Sequence, residues 1–208
     1  AYVFILGGDF VSAFILYFLI FILVGYSSNF FCIKLAPKFG MWNITIRFGL
    51  ILVALRILFF FIVLNPGLEN LIWLGLVLMT IFGGHGVFNT NYLYLCMDED
   101  EINQGIRREG MFLGTNALIT KPAQSLGPII ATVIFTYFSF VQDAPVQSAQ
   151  AILGIKILFF LVPAFSSLIG LLFFYFYPLH GERLERLKKE LEDLHVKKRM
   201  KLNTLSNE

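Results

Sequence analysis

Lys121 is the residue whose position says most about chemistry, because it lies deep inside an apolar stretch. Lys121 stands about 12 residues past the preceding charged loop, which on a helix corresponds to about 18 Å of rise. The other end of the apolar stretch is a similar distance away. A cation at that depth costs at least about 2.5–3.5 kcal/mol and normally faces a cavity or an acidic partner. Asn116, Thr120 and Gln124 form a polar stripe beside it. The pattern predicts a helix face that lines an aqueous pathway; the alternative is a structural lysine paired with a carboxylate elsewhere in the bundle.

A glycine-rich segment, 83–89, interrupts another apolar stretch and carries polar side chains. Broken helices at mid-membrane depth often form transporter binding sites. His85, Asn89 and Tyr92 share one helical face, which makes His85 and Asn89 candidates for substrate binding. The alternative is that the glycines only permit close helix packing. A catalytic or metal-binding role is not expected for His85, because no second ligand stands at a suitable spacing.

The densest charge cluster before the tail runs from Asp98 to Glu109. Its four adjacent carboxylates lack the spaced ligands and the glycine of a calcium loop, and no metal site is expected. We expect the cluster to form ion pairs between two helix bundles that lock one transporter conformation. The partners would lie in a second half of the transporter. The alternative is a merely solvated loop.

These residues must be positioned by membrane helices, since the composition predicts an all-α integral membrane protein. The chain is 57% hydrophobic and 14% charged, and 14 of its 30 charges fall between Glu182 and Glu208. Uncharged runs of about 20 residues can cross a hydrocarbon core. We therefore expect a transmembrane bundle over 1–180, with burial all round most helices, and a tail over 181–208. The predicted spans are 10–33, 46–64, 70–97, 110–138 and 149–178, after the end of an earlier span at 1–9.

The distribution of Lys and Arg predicts the orientation. Basic residues occur in the first and third connections and in the tail, whereas the other connections carry only Asp9, Glu69 and Asp143. The positive-inside rule then places the tail in the cytoplasm. Leucines at 184, 187, 191 and 194 among alternating charges predict an amphipathic helix lying on the bundle or membrane surface.

Other intramembrane residues point to structure. Lys156 is close enough to the outer loop to snorkel, and Arg56 can snorkel inward or pair within the bundle. Pro122 and Pro163 predict kinks within their spans. The two cysteines, Cys32 and Cys96, indicate neither a disulfide framework nor a metal site. The chain begins without methionine or a signal peptide, and we expect a fragment whose upstream part is missing.

The ordered set of these motifs resembles the glycoside–pentoside–hexuronide:cation symporters, melibiose permease-like members of the major facilitator superfamily. The segment 34–40 likewise resembles the basic loop between helices 8 and 9 of that superfamily. The resemblance covers nearly the whole chain, as the C-terminal half from the end of helix 7 through helix 12. It rests on segments 97–101, 105–110, 150–155 and 177–179, and on Asn116, Lys121 and Pro163.

The resemblance implies sugar transport driven by sodium, lithium or protons. Lys121 matches a helix 11 lysine involved in sugar binding or coupling. Asp98, Glu101, Arg107 and Glu109 match the charged loop between helices 10 and 11, which implies that they are gating residues. Gly86 stands where melibiose permease-like members have a tryptophan, and Leu95 where they have an acidic residue. No cofactor is expected, and the coupling cation would bind in the missing N-terminal half.

We therefore expect a multi-pass cell-membrane protein, part of a cation-coupled sugar symporter that works by alternating access. The alternative is a related facilitator that carries a lipid or another amphiphile, which the phenylalanine-rich helices fit equally well. An enzyme is not expected, since no nucleophile–base or metal-ligand constellation is present. The net charge of +2 gives no indication of nucleic-acid binding.

Overall fold

The computed structural model describes residues 10–205, and within that range all regular structure is helical. The all-α prediction is therefore confirmed. Residues 1–9, expected to end an earlier span, lie outside the described part.

The first two helices are longer than the predicted spans. Helix α1 covers Phe10–Phe39 and helix α2 covers Met41–Leu64, so the expected connection over 34–45 shrinks to Gly40. Gly40 has φ 78°, a left-handed conformation in which glycine lacks the usual steric penalty. The basic residues Lys34 and Lys38 thus stand on the last turns of α1 rather than in a loop.

The predicted glycine interruption is present. A 3-10 turn, Glu69–Leu71, leads into α3, Ile72–Gly83. A second 3-10 segment, Gly84–Phe88, then separates α3 from α4, Asn89–Gln104. Helix α4 therefore includes the carboxylates that we expected in a loop, and the connection to the next helix is only 105–108.

The remaining helices follow the apolar pattern. They are α5, Glu109–Tyr137; α6, Ala149–Lys156; α7, Val162–Tyr175; and α8, Gly181–Leu205. The Ser148 hydroxyl accepts the Ala151 N–H at 3.1 Å and caps α6. A π-helical segment, Ile157–Leu161, joins α6 to α7 just before Pro163. Helices commonly bend at such segments and at proline.

Four helical stretches are long and apolar enough to cross a membrane. They are Met41–Leu64, Glu69–Gln104, Glu109–Tyr137 and Ala149–Tyr175. Each corresponds to one of the last four predicted spans. Helix α1, with 30 residues, corresponds to the first.

The helices form two compact units, each with its own buried side chains. One unit contains the described residues up to Val87 together with Ala123–Phe176. Its core consists of Phe59, Phe60, Val63, Ile72 and Phe160. The other contains Phe88–Pro122 and the described residues from Tyr177. Its buried apolar side chains are Phe88, Tyr92, Met97, Leu179 and Leu187.

The expectation of burial all round most helices is wrong. Large apolar side chains are exposed along every spanning helix, and none of the residues of α5 is buried. Lipid tails are as apolar as a leucine side chain, so an apolar side chain is about equally stable against lipid and against a protein neighbour. Exposed apolar faces are therefore compatible with a membrane helix.

Close packing between helices requires a glycine at position 84 of the interrupted segment. A Cβ on Gly84 would lie 2.8 Å from the backbone carbonyl carbon of Ser28, whereas a Cβ on Gly83 would meet nothing within 4 Å. Ser28 also donates its hydroxyl to the Ile81 carbonyl across the same contact between α1 and α3. This supports the packing interpretation for Gly84.

Replacing Gly84 by alanine is therefore expected to destabilise the protein by about 1–3 kcal/mol, the usual cost of overpacking. Gly83→Ala is the matched control, because its methyl group has open space and should be tolerated. Thermal unfolding of the two variants in detergent measures the difference. Equal melting temperatures would contradict the prediction, because they would show that α1 and α3 can move apart at little cost in stability.

Candidate functional site

The four residues expected to form a gate lie together in the second unit. The Arg107 guanidinium donates from Nη1 to Asp98 Oδ1 at 2.6 Å and to Glu101 Oε2 at 3.4 Å. Its Nε donates to Glu109 Oε1 at 2.5 Å. One arginine in the short loop thus connects the end of α4 to the start of α5.

The tail helix supplies further partners that the sequence analysis missed. Lys198 Nζ donates to Glu101 Oε1 at 2.7 Å, and His195 Nε2 lies 3.3 Å from the same oxygen. The Glu101 side chain is only 6% exposed. A carboxylate so enclosed needs cationic partners, because an unpaired buried charge costs several kcal/mol. We call Asp98, Glu101, Arg107, Glu109, His195 and Lys198 the Glu101 cluster.

The position of His195 and Lys198 on α8 could have indicated this contact. Both follow the leucine stripe that ends at Leu191 and Leu194, so they share its face. Leu187 of that stripe is buried. The stripe faces a protein surface, and the charges beside it must be matched there.

Two more ion pairs flank the cluster. Arg108 forms a two-pronged pair with Asp100, with Nε 2.8 Å from Oδ2. Arg183 Nη2 donates to Glu99 Oε1 at 2.6 Å. All four carboxylates at the end of α4 therefore have a cationic partner within this chain.

The cluster also fixes the charge of its central arginine. The hydrogen bond that Arg107 donates to Glu109, followed by its contacts with Asp98, raises the pKa of the guanidinium above its usual value. Because this pKa is raised, the stabilising contribution of the cation is fully present below the ordinary pKa of arginine and is lost only as the pH rises through the raised pKa. That loss lies far above the physiological range, where the guanidinium is protonated.

The polar stripe of α5 and the neighbouring Lys121 are largely exposed. Asn116, Lys121 and Gln124 all have exposed side chains, and Thr120 donates its hydroxyl to the Asn116 carbonyl at 2.8 Å. Lys121 is near the middle of the 29-residue helix, about 18 Å of rise from its start. The structure thus places this cation at mid-height on a helix with no buried residue.

The two candidate residues of the interrupted segment differ in environment. His85 is partly buried, with Nδ1 2.7 Å from the Phe82 carbonyl oxygen, which makes Nδ1 the protonated nitrogen. Asn89, at the start of α4, is exposed. Because Nδ1 is hydrogen-bonded to the Phe82 carbonyl, Nε2 is the ring nitrogen of His85 that could bind a substrate.

The first unit has an open cavity of about 640 Å³ beside the helix break. Arg56 lines it and donates from Nη1 to the Pro163 carbonyl at 2.9 Å and to Ser167 Oγ at 2.5 Å. The remaining lining includes Phe21, Tyr26, Asn29, Leu52, Leu76, Met79, Thr80, Gly83, Gly84, Leu158 and Phe159. For Arg56 we expected either snorkelling or pairing within the bundle, and the structure shows hydrogen bonds within the first unit.

Lys156 has a structural contact. Its Nζ donates to the Val63 carbonyl at 2.7 Å, next to the end of α2. A cation at a helix C-terminus satisfies a free carbonyl and favours the helix dipole. The snorkelling expected for Lys156 is replaced by this contact inside the first unit.

No group of three or more His, Cys, Asp and Glu side chains between residues 10 and 205 is arranged as metal ligands.

Comparison with known proteins identifies the family. Residues 3–181 match the sequence model of the MFS/sugar transport protein family. The chain is also 28% identical over 132 residues to an uncharacterized symporter of Synechocystis sp., a match that covers 57% of this chain. The chain spans about a quarter, 24%, of that relative's length. No solved structure matches the chain significantly.

The chain therefore belongs to the MFS/sugar transport protein family. The expected membership in a sugar symporter family of the major facilitator superfamily is confirmed. It is a membrane protein, and its family points to a transporter rather than an enzyme.

Proposed function

We propose that this chain forms part of a secondary active transporter that couples a cation gradient to the uptake of a sugar or glycoside. The family match over 3–181 carries the proposal. The Synechocystis relative is named a symporter, which supports coupling to a second solute. The coupling ion would be sodium or a proton.

The polar stripe of α5, together with Lys121, fits this function. An alternating-access transporter binds its substrate near the middle of the bilayer, and Lys121 stands at mid-height among exposed amide side chains. Its ammonium can donate three hydrogen bonds, to sugar hydroxyls or to a carboxylate. Asn116, Thr120 and Gln124 would orient the hydroxyls.

A second helix bundle would complete the transporter. The chain spans only 24% of its Synechocystis relative, and the coupling-cation site is proposed to lie in the part that this chain does not contain. The positive-inside rule places the α8 tail in the cytoplasm. The Glu101 cluster then lies at the cytoplasmic end of α4, where closing and opening of an inner gate would occur.

One observation favours a second candidate, transport of an amphiphile. The cavity in the first unit is lined mainly by apolar and aromatic side chains, with the Arg56 cation among them. Such a lining suits a molecule with a long apolar part and an anionic head better than it suits a free sugar.

Uptake assays with radiolabelled galactosides and lysolipids would separate the two candidates. The full-length transporter is reconstituted in liposomes, and each compound is offered with and without a sodium or proton gradient. The proposal predicts galactoside uptake that increases with the gradient and no lysolipid transfer. Lysolipid transfer without galactoside uptake would establish the alternative.

A further inference from the structure

Two ion pairs between α8 and the end of α4 indicate how these helices meet. Glu99 and Glu101 are two residues apart, about 3 Å along α4, and lie on nearly opposite sides of that helix. Their partners Arg183 and Lys198 are 15 residues apart, about 22 Å along α8. Two helices running side by side match a 3 Å separation to a 22 Å separation poorly, because every side chain would have to extend fully along the helix axes. The pairs form with less extension when α8 lies across α4.

A crossing of this kind would place α8 along the membrane surface. Helix α4 is the second part of a stretch that can span a membrane, Glu69–Gln104, and such helices run within about 40° of the bilayer normal. Glu99, the first of the two α4 carboxylates that pair with α8, stands just past Met97, the last residue of the uncharged run. A helix that lies across α4 at this level is roughly parallel to the plane of the lipid headgroups.

The last part of α8 carries exposed cations next to exposed apolar side chains. Lys197, Arg199 and Lys201 are exposed, and Val196 and Met200, four residues apart, are 47% and 57% exposed. No acidic residue occurs from 194 to 204. The first part of the helix differs, because there acidic and basic residues alternate.

We propose that the basic segment 196–202 of α8 binds anionic lipid headgroups at the membrane surface. Val196 and Met200 insert among the upper acyl chains while Lys197, Arg199 and Lys201 contact the phosphates. Lys198 faces the other way and holds Glu101, so one short segment joins the lipid surface to the Glu101 cluster.

Charge complementarity and position select lipid as the occupant. Clusters of basic residues on amphipathic helices close to a membrane are attracted to anionic lipids by about 1 kcal/mol per residue. The apolar side chains Val196 and Met200 would make no favourable contact with a soluble polyanion, whereas they suit the boundary between headgroups and acyl chains. The inference depends on the membrane location of the chain, not on the proposed substrate or coupling.

Hydrogen–deuterium exchange of the tail in nanodiscs tests the proposal. The full-length protein is placed in phosphatidylcholine discs with and without phosphatidylglycerol, and exchange is followed in peptides that cover 196–204. Anionic lipid is expected to slow exchange about fivefold or more, the effect of about 1 kcal/mol from a single cation. Exchange in the α2 peptides serves as an internal reference and should not change.

A triple variant, Lys197→Gln, Arg199→Gln and Lys201→Gln, should lose this protection. The matched control neutralises Lys188 and Lys189, which lie in the mixed-charge part of the same helix, and should keep it. Equal exchange of the unmodified protein in both lipids would overturn the proposal, as would protection by added polyglutamate in place of anionic lipid. That outcome would leave the transport proposal untouched, since no substrate is involved.

Discussion

Replacing Lys121 by methionine is expected to abolish cation-driven uptake while leaving the transporter inserted and folded. Lys121 is at mid-height on α5, on an exposed face beside Asn116 and Gln124. A cation at this depth has to face water or a counter-charge inside the protein, and methionine supplies neither hydrogen bonds nor charge. Loss of one charge-assisted contact with a substrate at this depth would reduce uptake at least about tenfold.

Lys156→Met is the control for this experiment. That side chain donates to the Val63 carbonyl beside the end of α2, a contact within the first unit. Its loss should lower the melting temperature slightly and leave uptake nearly normal. Normal uptake by Lys121→Met, or equal loss in both variants, would show that Lys121 has no special part in transport. Gel filtration of each variant in detergent verifies that the protein remains folded.

Neutralising Arg107 is expected to lower turnover more than it weakens substrate binding. Arg107 holds Asp98, Glu101 and Glu109 together. Hydrogen bonds between charged groups contribute about 1.5–3 kcal/mol when shielded and less when exposed to water. If the cluster stabilises one conformation of the cycle, Arg107→Gln shifts the balance of conformations, and turnover should fall about tenfold for each 1.4 kcal/mol.

Arg186→Gln provides the matched control, since Arg186 pairs with Glu182 at a highly exposed site on α8. Initial rates over a range of substrate concentrations separate the maximal rate from the apparent affinity. A gating role predicts a reduced maximal rate for Arg107→Gln alone. An unchanged rate would mean that the loop is merely solvated, and a change in affinity alone would point to the substrate site.

Much of the fold could be predicted because lipid imposes strong rules on sequence. Runs of about 20 apolar residues have few alternatives to a spanning helix, since backbone polar groups must be satisfied internally. The glycines at 83–86 likewise indicated the break between α3 and α4. The π-helical segment, Ile157–Leu161, was missed because its residues are as apolar as their neighbours. Only the nearby Pro163 indicated a bend.

Less of the candidate site could be predicted, because charge patterns reveal that a pair is needed but not where the partner lies. The density of charge predicted ion pairs and the family resemblance implied the four gating residues, which the structure brings together. Their tail partners His195 and Lys198 are some 94–97 residues away along the chain. The cavity beside Arg56 depends on how four helices pack, which a single sequence does not encode in a local pattern.

The most direct test of the central claim is accumulation against a gradient. Full-length transporter in liposomes is given equal sugar concentrations on both sides, and a sodium or proton gradient is then imposed. The proposed symport predicts that the sugar becomes concentrated on the side toward which the cation flows, and that an ionophore collapsing the gradient abolishes the accumulation. Sugar that only equilibrates, with or without the gradient, would contradict coupling.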